Sequence, residues 1–360
     1  MNKKTKVAII GAGNISNTRH IPALKKLRNV EIVGVVGVKQ SNINRTLANL
    51  KTTKALRLDG GDYAEKMKKC KWFNDVDAVV IGVPPRDHYA LIEASLLNGK
   101  HVLVEKPMTM DTDEADKLIT LSKKVNKVFC VMHNFQYTSG VRKLNRLIDD
   151  GDLGELVSFF EFQLSNKNRR LPEWYNELPL GLFFDEAPHF MYLLEKLGGA
   201  LRVENVFVQD GGNKNDNTPL QMNAALSAGK YPVNIYLNFE SPVCEWYFVA
   251  CGKDKVAFYD LFKDILIVLP SDNEHYAVDI LKNSWRTTWQ YWVGFIKNGF
   301  RMLTGNLLYG HDAVIKAFIN SVAEGGYVDE NISCERGRAT VGYMNDIIKF
   351  AKHNGINVKK

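Results

Sequence analysis

The sequence predicts two fold classes in one chain of 360 residues. The first is α/β, with a doubly wound parallel sheet. The second is α+β, with an open-faced, mostly antiparallel sheet and helices. Three observations predict this. Apolar runs alternate with helical stretches as far as Met132. Between Glu155 and Leu269 such runs follow one another with turn signals and few helices. A glycine-rich turn directly follows the first apolar run. The domains expected are 1–132 and 133–360.

The first strand is read at residues 6–10, a short apolar run that ends at Gly11-Ala12-Gly13-Asn14. A helix is expected from there to about Leu27. Val30 to Val38 is β-branched and apolar, hence a second strand. Asp77 to Val83 is a third, stopped by Pro84-Pro85. His88 to Leu97 is helical and closes on Asn98-Gly99, a good C-terminal stop. His101 to Val104, a helix over Asp113 to Val125, and Lys127 to Met132 complete the alternation. Past residue 133 the rhythm changes. A helix at Val141 to Ile148 precedes strands at 155–164, 203–208, 220–226, 233–239, 245–250, 255–259 and 265–269. Asp210 to Thr218 is a polar loop. Trp285, Trp289, Trp292, Phe295, Ile296, Gly299, Phe300 and Leu303 recur at helical spacing. They are expected to pack on the sheet or on a subunit partner. The competing reading is a membrane-surface helix, since Lys282, Arg286, Lys297 and Arg301 accompany them. His311 to Val322 and Cys334 to Lys352 are expected to be closing helices.

Composition removes several function classes. The net charge of +7 (47 Lys and Arg against 40 Asp and Glu) is diffuse, so no nucleic acid partner is expected. The five cysteines, Cys70, Cys130, Cys244, Cys251 and Cys334, form no Cys-x-x-Cys pair. Neither a disulfide framework nor a metal site is expected. No apolar run is long enough for a signal peptide or a membrane span, which predicts a cytoplasmic protein without membrane contact.

Four motifs carry chemistry. Gly11-x-Gly13-x-x-Ser16 lies between a strand and a helix. That context suits a dinucleotide, whose pyrophosphate needs close backbone approach and the free N–H groups of a helix start. It makes the first domain a Rossmann-type one, against the alternative of a structural glycine turn. The second strand ends without the carboxylate that would bind an NAD ribose; Lys39, Ser41 and Arg45 follow instead. A hydroxyl and two cations suit the 2′-phosphate of NADP, with NAD still possible. Glu105-Lys106-Pro107 stands at the C-terminal end of a parallel strand, where ligands bind. Pro107 permits a cis bond. Lys106 there can hydrogen-bond a substrate oxygen or move a proton; the alternative is a surface lysine before a turn. Asp185 and His189 are four apart at the start of an expected helix, with Pro188 in its first turn. His189 can accept the proton of an alcohol under oxidation, or be merely structural.

Taken together, these residues resemble the Gfo/Idh/MocA oxidoreductase family. The resemblance rests on Gly11-Ala12-Gly13-Asn14-Ile15, Val83-Pro84-Pro85 with His88, and the string Asn98-Gly99-Lys100-His101-Val102-Leu103-Val104-Glu105-Lys106-Pro107. His133-Asn134-Phe135-Gln136-Tyr137, Gly151-Asp152-Leu153-Gly154-Glu155, Asp185 and His189 follow in order. The pattern covers about the first 190 residues. It implies hydride transfer between a nicotinamide and a sugar, nucleotide sugar or cyclitol, interconverting hydroxyl and ketone. It implies a catalytic group of Lys106, Asp185 and His189. Gly11, Gly13, Asn14, Ile15, Lys39, Ser41, Pro84, His88 and Glu105 would serve the cofactor. Asn134, Tyr137, Arg170 and Trp174 are the candidate substrate contacts. A homodimer or homotetramer built on the open sheet is implied too. The departures are Ala187 for a glycine, Tyr192 for an acid and Gln136 for an arginine. Two other readings remain: a cofactor-recycling enzyme or hydrolase that holds its nicotinamide tightly, and a non-catalytic NAD(P)-binding sensor.

Overall fold

The computed structural model describes residues 4–169, 171–210, 217–272, 274–325 and 328–353. The chain divides into two compact units: residues 1–134 with 310–342, and residues 135–309 with 343–360.

The first unit begins with β1 (Thr5–Ile10), a π-turn (Ser16–His20) running into α1 (Ile21–Lys25), and β2 (Val30–Gly37). Next come α2 (Gln40–Leu50), β3 (Ala55–Arg57), α3 (Tyr63–Lys69), α4 (Lys71–Asn74) and β4 (Ala78–Ile81). α5 (His88–Leu97), β5 (His101–Val104), α6 (Thr112–Lys124) and β6 (Phe129–Val131) complete the alternation. The six strands pair in parallel in the order β3-β2-β1-β4-β5-β6. The order reverses beside β1, so the crevice at the ends of β1 and β4 is the switch point where such sheets take ligands. Val7 to Ile10 and Ala78 to Ile81 are almost wholly buried, as strands covered on both faces must be. The expected helix after the glycine turn runs without a break from Asn14 to Lys25, with a π-helical segment at Ser16–His20.

The second unit starts with α7 (Ser139–Asp149) and β7 (Leu156–Leu164), then α8 (Leu182–Glu186) and α9 (Pro188–Gly198). β8 (Leu201–Gln209), β9 (Gln221–Ala228), β10 (Tyr231–Asn238), β11 (Glu245–Gly252), β12 (Lys255–Asp260) and β13 (Ile265–Pro270) follow, and α10 (Ala277–Leu303) leaves the last strand. The sheet order is β13-β12-β11-β7-β10-β9-β8. All neighbours are antiparallel except β7 and β10, which run parallel. One face packs on α9; the other exposes Phe160, Phe162, Phe207 and Phe258. α11 (His311–Ala323) and α12 (Cys334–His353) follow. α11 and the start of α12, to Gly342, pack with the first unit, although the sequence reading had placed them in the second domain.

The aromatic stripe of α10 does not pack on the sheet. Trp285 and Trp289 are 68% and 60% exposed. The helix meets β13 through its other side instead. The Gln290 amide exchanges hydrogen bonds with both backbone groups of Val268 (3.0 and 3.1 Å), and Asn298 Nδ2 donates to Asp264 O at 2.7 Å. The inward side is polar because it pairs backbone groups that no further strand satisfies.

Glu161 on β7 lies 1% exposed, opposite Ile235 and Phe248. Neither carboxylate oxygen has a hydrogen-bond partner, and burial pushes the acid well above its usual pKa. A raised carboxyl pKa favours the fold at low pH. That contribution is lost as pH climbs from the unfolded value, about 4.3, through the folded one. Glu161→Leu is therefore expected to stabilise the protein by about 1–3 kcal/mol at pH 8 and by less near pH 4. Thermal unfolding across that range checks this; a difference independent of pH would contradict it.

Candidate active site

The turn after β1 is built by two glycines on neighbouring strands. Gly11 has φ +98°, and a Cβ there would meet the Gly82 carbonyl oxygen at 2.3 Å. Gly82, just past β4, would set a Cβ against His20 at 2.9 Å and against Ile15 and Ser16 at 3.0 Å. The backbones therefore touch where side chains would separate them. Ser16 stands where a third glycine is common, and its hydroxyl donates to Gly11 O at 2.6 Å. At Gly13, by contrast, the nearest atom to a Cβ is 4.0 Å away. This is the cradle a pyrophosphate needs: close-packed behind, open in front, at the start of a helix. Asn14 at its lip is exposed and Ile15 half-buried.

Past β2, Lys39 caps α2 with extended backbone. Lys39, Ser41 and Arg45 are all exposed, and no acid stands at this strand end.

The end of β5 is held from beneath. Glu105 is buried, with its carboxylate 2.7 Å from His20 Nε2 and 3.7 Å from His311 Nε2. Burial alone would push this carboxyl up, yet His20 and His311 outweigh it and hold it well below the ordinary glutamate range. Its second oxygen accepts the Lys106 N–H at 3.3 Å. The Lys106–Pro107 bond is cis. His88 is fully buried, with Nδ1 2.8 Å from the Pro107 carbonyl and Nε2 3.0 Å from the Val83 carbonyl. Burial lowers its pKa. It ties the Lys106–Pro107 segment to the loop carrying the half-buried Pro84. Lys106 itself is half-buried. His20 and His311 lacked any signal in the sequence, lying far along the chain from Glu105.

In the second unit, Gly181 (φ +54°) starts α8, and Pro188 takes the first turn of α9. Asp185 thus lies on α8 and His189 on α9, rather than on one continuous helix. Ala187 between them is helical, at φ −60° and ψ −26°. Asp185 is half-buried and His189 buried. His189 Nδ1 is 2.8 Å from the Tyr192 hydroxyl, which accepts the Phe135 N–H at 3.1 Å. The Phe135 ring meets the imidazole edge to face, centroids 4.8 Å apart. The ring plane is fixed on two sides. Tyr192, noted in the sequence only as a departure, is the orienting partner. Its position one helical turn after His189 was the available signal.

Glu186 is buried and gathers Gln163, Ser165 and Arg169 around its carboxylate. Arg169 also lines a cavity of about 550 Å³ with Glu245, Phe262, Lys263, Tyr291 and Met302. Among the expected substrate contacts, Asn134 is buried, Trp174 half-buried, and Tyr137 carries the Arg142 guanidinium 5.4 Å from its ring centre. Arg170 lies outside the described residues. No group of three or more His, Cys, Asp or Glu among the described residues could hold a metal.

A switch-point sheet with this glycine cradle defines a nicotinamide-dinucleotide-binding protein of the Rossmann class. Residues 5–133 match the model of the Gfo/Idh/MocA oxidoreductase family, NAD-binding Rossmann fold. It is 28% identical over 196 residues to the uncharacterized oxidoreductase YdgJ of Escherichia coli, covering 53% of each chain. It is 28% identical over 156 residues to the dTDP-3,4-didehydro-2,6-dideoxy-alpha-D-glucose 3-reductase of Actinomadura kijaniata, covering 43% of this chain and 44% of that one. The chain thus spans about half the length of the curated relatives it matches. Over nearly the whole chain (99% of this one, 97% of the other) the fold matches a putative NADPH-dependent oxidoreductase from Desulfitobacterium hafniense, TM-score 0.77 at 18% identity.

Gly11→Ala is expected to cost more than about 2 kcal/mol of stability, through the φ and the contact with Gly82. Calorimetry checks this. An unchanged melting temperature would mean that the two strand ends do not meet as described.

Proposed function

We propose that the protein is an NAD(P)-dependent oxidoreductase that interconverts a hydroxyl and a ketone on a sugar, nucleotide sugar or cyclitol. The observation that carries this reading is the cradle at Gly11, Gly13 and Gly82, with Lys106 held at the end of β5 in the same sheet. The sugar reductase among its relatives supports the substrate class.

Bound at the cradle, a nicotinamide would supply the hydride acceptor or donor. The amides at Gly13 and the start of the following helix would hold its pyrophosphate. Lys106 would donate a hydrogen bond to the reacting oxygen and polarise it. His189 would take the hydroxyl proton, or return it in the reverse direction, while Tyr192 keeps the ring in place. Asp185 would orient the substrate hydroxyl. Asn134, Tyr137 and Trp174 would contact the rest of the sugar. The exposed phenylalanines of the open sheet face suit a contact between copies, as a homodimer or homotetramer.

Lys39, Ser41 and Arg45 favour the 2′-phosphate of NADP(H) over the bare ribose of NAD. Titration with NADPH and NADH, followed by nicotinamide fluorescence, is expected to give the tighter binding for NADPH. Lys39→Glu should reverse the order. Tighter NADH binding in the wild type overturns the preference, and binding of neither overturns the function.

Lys106→Ala and His189→Ala are each expected to lower kcat by roughly 10²–10⁴-fold with cofactor affinity retained. Steady-state kinetics on a panel of sugars and nucleotide sugars with their keto forms tests this. Full turnover in both variants would remove the assignment.

A further inference from the structure

α10 wears its amphipathicity outward. Leu281, Trp285, Trp289, Trp292, Ile296 and Phe300 are between 54% and 70% exposed, while Gln290, Gly294 and Asn298 face β13. Gly294 is part of that design, since a Cβ there would strike Ile265 at 2.9 Å. A helix that only covered the sheet would turn the apolar side inward. Here the sheet is satisfied by amides, and the tryptophans are spent on the outside.

The spacing describes the shape of the missing partner. Leu281 and Trp292, Trp285 and Ile296, and Trp289 and Phe300 are each eleven residues apart. Eleven residues make almost a whole number of turns, so the stripe runs nearly straight along the helix for about 29 Å, with a width of about 100°. A straight, long apolar stripe matches a flat surface. Lys282, Arg286 and Lys297 are exposed on one flank of the stripe; Arg301 follows and leans on Asp264 at 3.8 Å. The only acid of the helix is Asp279, 3.9 Å from Lys282. A second copy laid on the stripe would bring the same cations and no new anion from this helix. An anionic lipid surface supplies both the apolar plane and the counter-charge. No helix among the described residues is long and apolar enough to cross a membrane, which fits a helix that lies on one.

We propose that α10 is an interfacial helix that seats the protein on an anionic lipid bilayer. The stripe enters the headgroup boundary, and the basic flank rests on the lipid phosphates. The inner side of the same helix contributes Tyr291 and Met302 to the wall of the 550 Å³ cavity, so docking would set that cavity beside the lipid surface. The docking itself does not rest on the oxidoreductase reading.

The test is flotation of the full chain with vesicles of phosphatidylcholine alone and of phosphatidylcholine with about a third phosphatidylglycerol. The protein is expected to float with the anionic vesicles, and to do so less in high salt. Its tryptophan emission should shift to the blue, because three of its six tryptophans lie on the stripe. Trp289→Asp and Ile296→Asp alter exposed side chains and should leave the melting temperature unchanged. Each is expected to lower partitioning by about tenfold or more. Arg286→Gln and Lys297→Gln should each lower it roughly fivefold. Absence of flotation with either vesicle overturns the proposal, as does a stripe variant that floats like the wild type. If the wild type stays in solution and Ile296→Asp splits an oligomer in sedimentation, the stripe is a contact between copies and the proposal fails.

Discussion

The approach of Gly11 to Gly82 organises the first unit. A Cβ at Gly11 would strike the Gly82 carbonyl, and one at Gly82 would strike His20, Ile15 and Ser16, so each position needs glycine for its own neighbour. The consequences run outward from that contact. Ser16 fits against Gly82 and returns its hydroxyl to Gly11 O, which closes the turn. His20 passes over Gly82 and reaches Glu105 at the end of β5. Glu105 then accepts the Lys106 N–H, so the glycine turn and the lysine strand end are parts of one hydrogen-bonded assembly. His88 closes it from the other side, on the carbonyls of Val83 and Pro107. Dinucleotide binding and lysine placement are thus not independent features of this sheet. A change at Gly82 would be felt at Lys106 through His20 and Glu105.

This explains what could and could not be read in the sequence. Buried strands are continuous apolar runs, so β1, β2, β4 and β5 stood out, and the seven strands of the second sheet stood out by their turns. β3 is three residues long and half-exposed, too short to carry a period. α3 and α4 have only seven and four residues, too few to show a helical period. Glu105, Lys106, Asp185 and His189 could be singled out as candidates because each stands near a chain-shaping residue: Pro107, Pro188 or a strand end. The partners of those residues were not legible. His20 and His311 meet Glu105 only through the tertiary fold. Tyr192 looked like a loss, because its role is clear only when His189 and Phe135 are seen on either side of its hydroxyl. The parallel pairing of β7 with β10 also escaped, since both are half-buried strands whose pattern does not depend on direction.

The second unit departs from the ordinary distribution of polarity in two places, with opposite sense. Glu161 puts an unpaired acid among apolar neighbours, and α10 puts apolar residues in front of solvent. Neither helps the fold of one chain in water. The buried Glu186 shows the contrast: Gln163, Ser165 and Arg169 satisfy its carboxylate, as a structural acid requires. The outward face of α10 is not a defect of the same kind, because its inward face is fully adapted. Gln290, Gly294 and Asn298 are fitted to the backbone of β13 and the loop before it. Both faces of the helix are specified, one for the sheet and one for something outside the chain.

Under the proposed function, Tyr192 in the place of an acid also bears on the direction of the chemistry. A carboxylate beside Nδ1 would stabilise the imidazolium by charge and make the ring a stronger base. A phenol hydroxyl fixes the ring in the same plane without bringing that charge. A weaker base is a poorer acceptor for an alcohol proton and a better donor to a ketone oxygen on its way to alkoxide. Under the proposed function Lys106 would add to the same bias, since an ammonium beside the reacting oxygen would stabilise the negative charge that hydride addition creates. Lys39 and Arg45 at the end of β2, read as contacts of a 2′-phosphate, would point the same way, toward the phosphorylated cofactor that reductions commonly use. On that reading each of these features would favour ketone reduction over alcohol oxidation.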